Sequence, residues 1–389
     1  MTSTIYLDYA ATTPIDARVL AAMQPYFAEA FGNPSSVHRY GQQAERAVDA
    51  SRETVAGILN CTPEEILFTS CGTESDNLAL RGAAFSAREK SGAKRILTSK
   101  TEHHAVSKTA EQLAQHHGFA VDWLETDEHG SMLPATVRRA LSPDCAVISL
   151  MYANNEIGTV NPIGEIAAEC RDQGVLMHTD AVQAAAYLPL DVRMLGIDLM
   201  SLGGHKFHGP KGVGALYVRR GSRLLPSQTG GSQEFGLRAG TQNVPLIVGF
   251  AKALELAQQE REQRAAHATS LRDRIIGSVL ERITDSRLTG SPGARLPNHA
   301  SFAFRGVDGN LLLNLLDAAG FACSSGSACK TGDPEPSEVL SAIGLSREWG
   351  LGSLRVTVGK DTTAADVEAF LSALPTLVKN ARALKRPHA

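Results

Sequence analysis

Seven short apolar runs recur along the chain, most of them followed by a stretch with helical spacing. They fall near residues 65–70, 94–99, 119–124, 146–151, 175–179, 197–202 and 213–218. Several, such as Ala146-Val147-Ile148-Ser149-Leu150-Met151, do not alternate with polar residues, as expected of strands buried on both faces. Helical patterns at 77–89, 106–116 and 163–173 fill gaps between them. Alternation of this kind predicts an α/β fold with a mainly parallel sheet of seven strands between helices. Only a short Gly/Pro-rich link joins the last two runs, so one antiparallel neighbour is expected. The texture changes after about residue 250. Residues 251–282 read as one long polar-faced helix or two broken ones. A strand–helix mixture follows, with strands at 298–304 and 354–358, a helix at 309–319 and a final helix from Thr363. A domain boundary is expected near 250–260, since 389 residues exceed one ordinary core.

Composition narrows the function classes. A hydrophobic content of 43% and a charged content of 20% are those of a soluble globular protein. A formal net charge of -3 gives no basic field for nucleic acid. The basic tail from Lys379 to Arg386 reads as a solvated helix end. Residues 1–5 show no secretory pattern, and no run approaches the roughly 20 apolar residues that span a bilayer. No membrane or nucleic-acid partner is expected. The six cysteines, at 61, 71, 145, 170, 323 and 329, contain no Cys-x-x-Cys pair. In a chain of this size that points to a reducing, cytoplasmic compartment.

The polar clusters share one position. Gly72-Thr73 follows the first run, Glu102-His103 the second, and Asn154-Asn155-Glu156 the fourth. Asp180 and Gln183 follow the fifth, and His205-Lys206 the sixth. All lie past the carboxyl end of a strand, where open α/β sheets bind ligands.

Each cluster has a functional and an ordinary reading. Ser70-Cys71-Gly72-Thr73-Glu74-Ser75 runs from strand to helix, and free N–H groups there attract an anion. The ordinary reading is a helix cap by Thr73 or Ser75. Neither this turn nor 204–211 is a Walker loop. Asp180 ends a buried strand and needs a cationic or donor partner; it is otherwise an N-cap. Lys206 is either a surface lysine before a Gly-Pro turn or an amine activated by burial and nearby cations. His103-His104, His116-His117 and His205-x-x-His208 lack an HExxH pattern, so no resident metal is expected. Cys329, beside Lys330 in a Gly/Ser-rich loop, has a cationic neighbour that favours thiolate; Cys323 and Cys329 are otherwise small apolar bystanders. Arg355 suits a carboxylate fork or a structural ion pair. Amine, carboxylate and phosphate cup together are what an aldehyde cofactor with a pyridine ring and a phosphate requires.

The chain resembles the cysteine desulfurases of the NifS/IscS type, which are fold-type I pyridoxal-phosphate enzymes of the class V aminotransferase group. The motifs span nearly the whole chain. They include Tyr6-Leu7-Asp8-Tyr9-Ala10-Ala11-Thr12-Thr13, Phe31-Gly32-Asn33-Pro34-Ser35-Ser36, Phe68-Thr69-Ser70-Cys71-Gly72-Thr73-Glu74-Ser75, Asn154-Asn155-Glu156-Ile157-Gly158, His178-Thr179-Asp180-Ala181-Val182-Gln183, Gly204-His205-Lys206, Arg238-Ala239-Gly240-Thr241 and Ser324-Ser325-Gly326-Ser327-Ala328-Cys329. The long loop around Cys329 resembles the group I branch.

The resemblance implies a large cofactor-binding domain at 15–255 and a smaller α+β domain from 1–14 and 256–389, the latter carrying the Cys329 loop. It implies that Lys206 bonds pyridoxal 5'-phosphate, Asp180 pairs with the ring nitrogen and His103 stacks on the ring. Gln183 approaches the phenolic oxygen, and Asn155 lies near cofactor and substrate. Gly72, Thr73 and His205 cup the phosphate, with Thr241 from a partner subunit of a homodimer. Arg355 grips the carboxylate of L-cysteine, and Cys329 accepts the sulfur. Alanine is then released, and the sulfur passes to an acceptor protein such as an iron–sulfur scaffold. Cys329 could also hold a cluster transiently. Where many relatives carry serine or cysteine, this chain has Gly203, so a side-chain phosphate contact is absent. Two other readings keep parts of this pattern. Another pyridoxal-phosphate reaction, such as that of a selenocysteine lyase or an aminotransferase, keeps Lys206 and Asp180 without needing Cys329. A sulfur-relay or scaffold-binding protein keeps only the fold.

Overall fold

The computed structural model describes residues 4–325 and 335–384. Its strands, in chain order, are β1 (Ile5–Tyr6), β2 (Ile66–Thr69), β3 (Arg95–Ser99), β4 (Ala120–Leu124), β5 (Cys145–Ser149), β6 (Met177–Asp180), β7 (Leu199–Gly203), β8 (Gly214–Val218), β9 (Ser286–Leu288), β10 (His299–Phe304), β11 (Phe321–Ala322) and β12 (Ser353–Thr357). Seven of them form the main sheet, in the order β2-β8-β7-β6-β5-β3-β4. β8 is antiparallel to both neighbours, and the other adjacent pairs are parallel. This is the expected α/β fold, with the expected antiparallel neighbour. β2, β5, β6, β7 and β8 are buried at every position, which explains their unalternating sequences.

Helices cover both faces. Gly72–Ser91 and His104–His117 pack with Leu67, Ile96 and Leu199 on one side. On the other, the core gathers Val55 and Leu59 of Arg39–Leu59, Phe250 and Leu254 of Val244–Gln259, and Phe68 and Leu202 from the sheet. The polar-faced stretch beginning near 250 is two helices, Val244–Gln259 and Arg261–Arg282, which meet at Glu260. The second helix belongs to a separate core with β10, β12 and the helix Ala364–Leu384. That core includes Phe302, Phe304, Phe370 and, from the chain start, Leu7. A three-stranded antiparallel sheet, β12-β10-β9, lies within it. No helix among the described residues is long and apolar enough to cross a membrane.

Close backbone packing fixes the carboxyl edge of the main sheet. Gly214 faces the turn after β2 so closely that an added Cβ would lie 2.7 Å from both the Cys71 carbonyl carbon and the Leu202 oxygen. Backbone atoms there cannot yield as a flexible side chain would. Gly214→Ala should therefore push the Cys71–Gly72 turn outward, costing about 1–3 kcal/mol. A lower midpoint in thermal unfolding checks this; an unchanged midpoint would show that the turn is free to move.

Candidate active site

The carboxyl edge opens into a cavity of about 250 Å³. Its lining includes Gly72, Thr73, His103, Asn155, Asp180, Gln183, His205, Lys206 and Arg355, contributed by separate strands, helix starts and turns. Residues scattered over almost 300 positions of sequence thus meet in one pocket. Sequence reading missed Asp76, Met151, Val182, Ala10 and Ala11, which also line it. Asp76 carried one faint signal: it stands one helical turn beyond Gly72 and Thr73. Thr241 is exposed and lies apart from this lining. Cys329 lies outside the described residues.

The turn after β2 makes one wall. The helix Gly72–Ser91 begins there with Cys71 at its N-cap and no side-chain cap bond. Ser75, a candidate cap, is turned instead to Thr69 Oγ1 at 2.7 Å and the Ala215 carbonyl at 3.1 Å. An uncapped helix start beside a cavity leaves N–H donors for an anion such as a phosphate. His205 closes the same end, sharing a 3.1 Å hydrogen bond with Thr12 Oγ1. Burial, then Lys206 beside it, pulls the His205 pKa down to about 4.

Lys206 follows β7 on a short helical turn. Its Nζ donates to the carbonyl oxygens of Ala10 at 2.6 Å and Ala11 at 2.8 Å. Burial lowers its pKa to about 8, helped by Arg355 and opposed by Asp180 and Asp8. Free amine is therefore available near neutrality, as bonding to an aldehyde requires. Gln183 Nε2 also donates to the Ala10 carbonyl, at 2.9 Å.

Asp180 ends β6. Its Oδ1 accepts the Val182 N–H at 2.9 Å, capping a turn where the N-cap reading expected a helix, and it also lines the cavity. Among the described residues it forms no ion pair, and burial pushes its pKa up. His103 is the N-cap of His104–His117; its Nδ1 accepts the Ala105 N–H at 3.1 Å, which leaves Nε2 to carry the proton. Crowding by protein lowers its pKa, with Asp180 acting in the opposite direction. Arg355, on β12, forms the structural ion pair and also lines the cavity. Nη2 pairs with Asp8 Oδ1 and Nη1 donates to the Asn155 carbonyl, each at 2.9 Å, while buried Nε has no partner among the described residues.

These residues fit pyridoxal phosphate by their chemistry. An amine with a lowered pKa, a buried carboxylate lacking a cation, and an uncapped helix start face one cavity. Lys206, Asp180 and the Gly72–Thr73 turn would hold the aldehyde, ring nitrogen and phosphate ends.

Comparison with known proteins agrees. The family model described as Aminotransferase class-V matches residues 5–370. A protein of Dictyoglomus turgidum named cysteine desulfurase IscS is 44% identical over 380 residues, covering 98% of this chain and 96% of the relative. A solved structure titled NifS-like protein superposes with a TM-score of 0.90 at 34% identity, over 97% of this chain and all of the other. Another, titled SspA in complex with cysteine, gives a TM-score of 0.79 at 35% identity, over 92% of this chain and all of the other. The chain belongs to the class-V aminotransferase family, whose members are pyridoxal-phosphate-dependent. Within it, the chain is of the NifS/IscS type.

The lowered Lys206 pKa has a direct consequence. Below about pH 8 most of the amine is protonated and only a minor free fraction can attack an aldehyde; above it most of the amine is free. Cofactor uptake by the apoprotein should accelerate up to about pH 8 and then level off. Arg355→Met removes a cation that favours the neutral amine, so the midpoint should move to higher pH. Stopped-flow absorbance at several pH values checks both.

Proposed function

We propose that this chain removes the sulfur of L-cysteine, releasing L-alanine and leaving a persulfide on Cys329 for transfer to an acceptor protein. One observation carries the reading most: Lys206, with its lowered pKa, shares a cavity with Asp180 and Arg355. When bound, the cofactor supplies an aldehyde for the substrate amine and a ring that accepts electrons.

The chain's own residues do the rest. Asp180 would balance positive charge at the ring nitrogen, and His103 would pack against the ring. Gln183 and Asn155 lie where the phenolic oxygen and the substrate would sit. Arg355 orients the substrate carboxylate, its unpartnered Nε being available for a fork. Lys206 takes the proton from the substrate α-carbon. The Cys329 thiolate attacks the substrate sulfur; an S–S bond forms, the C–S bond breaks, and its electrons stay on the three-carbon fragment, which is protonated to alanine. Ser324 anchors the start of the segment that carries Cys329. Its Oγ donates to Asp8 Oδ2 at 2.8 Å, and its carbonyl accepts the Arg355 N–H at 2.7 Å.

We take the working form to be a homodimer in which Thr241 reaches the partner's phosphate site. Phe31, Val37, Tyr40 and Phe235 are exposed, and Phe235 shares a surface hollow with Pro34, Ser35 and Gln242, the residue after Thr241; a monomer gains nothing by leaving them bare. The acceptor would be an iron–sulfur scaffold or another sulfur carrier, in a reducing cytoplasm. We divide the chain into a large domain at 15–255 and a small one at 1–14 and 256–389, supported by Leu7 joining the second core.

Lys206→Ala should abolish alanine formation and the cofactor absorbance of the purified protein. A yellow, active variant would mean another lysine does this work.

Cys329→Ser should retain the cofactor and still bind cysteine, while sulfur transfer collapses, since a hydroxyl is a far poorer nucleophile than a thiolate. Cys323→Ser should keep most activity, because burial pushes the Cys323 thiol far up and leaves it inert. Alanine formed by each variant decides. Parental rates in both would favour a direct lyase over a persulfide route.

A further inference from the structure

The pocket floor holds more acid than the proposed chemistry uses. Asp76, on the helix Gly72–Ser91, is 1% exposed and lines the cavity. One of its carboxylate oxygens lies within 4.8 Å of donor atoms of both Asp180 and His103. Its Oδ1 is buried and has no hydrogen-bond partner. Two adjacent buried carboxylates repel strongly unless cations compensate them.

Among the described residues no such pair of cations faces them. The base nearest Asp76 Oδ1 is His178 Nε2, at 3.6 Å. That ring is neutral: burial pulls its pKa to about 3. Its nitrogens already bond Ser149 Oγ at 2.8 Å and Ser201 Oγ at 2.9 Å. Lys206 is turned to the Ala10 and Ala11 carbonyls, and Arg355 to Asp8 and Asn155. Glu102, a third buried acid close by, accepts the Met151 N–H at 2.9 Å and brings no cation either. A ring nitrogen would add one positive charge, enough for one carboxylate.

The two acids are not equivalent. Asp180 accepts a backbone N–H, which favours its ionised form. Asp76 has no such bond. Burial, with Asp180 as the next cause, pushes the Asp76 carboxyl well above the usual range, and only a contact with Ser201 opposes this.

We propose that Asp76 is a positioning residue for Asp180: it stays neutral, so that the two carboxyls carry one negative charge between them, held on Asp180. The proposal rests on Asp180 being the ring-nitrogen partner. It makes the charge at that nitrogen the property of a pair. An aspartate that looks like a helix-surface acid in sequence would then act by keeping its proton.

The test uses the holoenzyme, with Asp76→Asn, Asp76→Ala, Glu102→Gln and Asp180→Asn beside the parent. Infrared spectra near neutral pH should show a carboxylic-acid C=O band in the parent. Part of it should vanish in Asp76→Asn yet remain in Glu102→Gln. Asp76→Asn keeps a neutral donor of the same shape, so its pyridoxal-phosphate dissociation constant should stay close to the parent's. Asp76→Ala leaves Asp180 without that neighbour and should weaken binding about tenfold. An unchanged infrared band in Asp76→Asn would overturn the proposal. So would parental affinity in Asp76→Ala, or equal losses in the Asn and Ala variants. Parental affinity and spectrum in Asp180→Asn would instead overturn the ring-nitrogen reading, and the proposal with it.

Discussion

The Lys206 ammonium rests on two backbone carbonyls, those of Ala10 and Ala11, and much of the site depends on the segment that supplies them. That segment runs between the two cores. Leu7 is buried in the second core, while Thr13 bonds the His205 carbonyl at 3.0 Å and accepts the His208 N–H at 2.8 Å in the first. Between them, Asp8 holds Arg355, and the Ala10 N–H reaches Thr357 Oγ1 at 2.9 Å. Residues 8–13 therefore touch the amine, the guanidinium and the histidine of the pocket in a single pass. Each neutral bond contributes only about 1 kcal/mol. Their effect is geometric: they fix both cations of the site relative to one another across a division between cores.

Such a site must also balance its charge, because a closed pocket screens little. Burial acts in opposite directions on its acids and bases. It lowers the pKa of Lys206 and of His205, and raises that of Asp180 and Glu102. Neutral forms are favoured throughout, and a charge survives where a partner stabilises it. Arg355 is paired with Asp8. The Asp8–Arg355 pair is also satisfied by Ser324 and by the Asn155 carbonyl, without which a buried ion pair would gain little. Nη1 and Nη2 of Arg355 are thus occupied, while its Nε has no acceptor among the described residues.

The main sheet was legible because burial on both faces suppresses polar residues in its strands, and all seven runs became strands within a few residues of the expected bounds. The pocket was legible because parallel strands end together, so polar residues just past them converge. Asp76 was not legible. Its helix positions look like any polar turn, and only packing against β6 and β7 makes it a buried acid. The role of Asp8 was hidden for a similar reason: its partner Arg355 is 347 positions away. Even the ordinary readings proved partly true. Asp180 caps a turn and faces the cavity, and Arg355 is both an ion pair and a pocket wall.

Gly203 shows how local volume replaces a missing side chain. A Cβ there would lie 3.3 Å from Val182 Cγ1 and 3.5 Å from the Gly72 nitrogen. A Cβ on Gly72 would lie 2.7 Å from Val182 Cγ2. The valine thus occupies space that side chains at either glycine would need, and the two glycines leave room for it. The cup that results presents backbone N–H groups above a methyl surface. Those donors belong to a helix packed on the sheet, so they pay no side-chain entropy when an anion arrives. A hydroxyl at 203 would add one donor, but only if Val182 yielded a few tenths of an ångström. Val182 and rigid backbone therefore fill the space at this edge that a side chain at 203 or 72 would need.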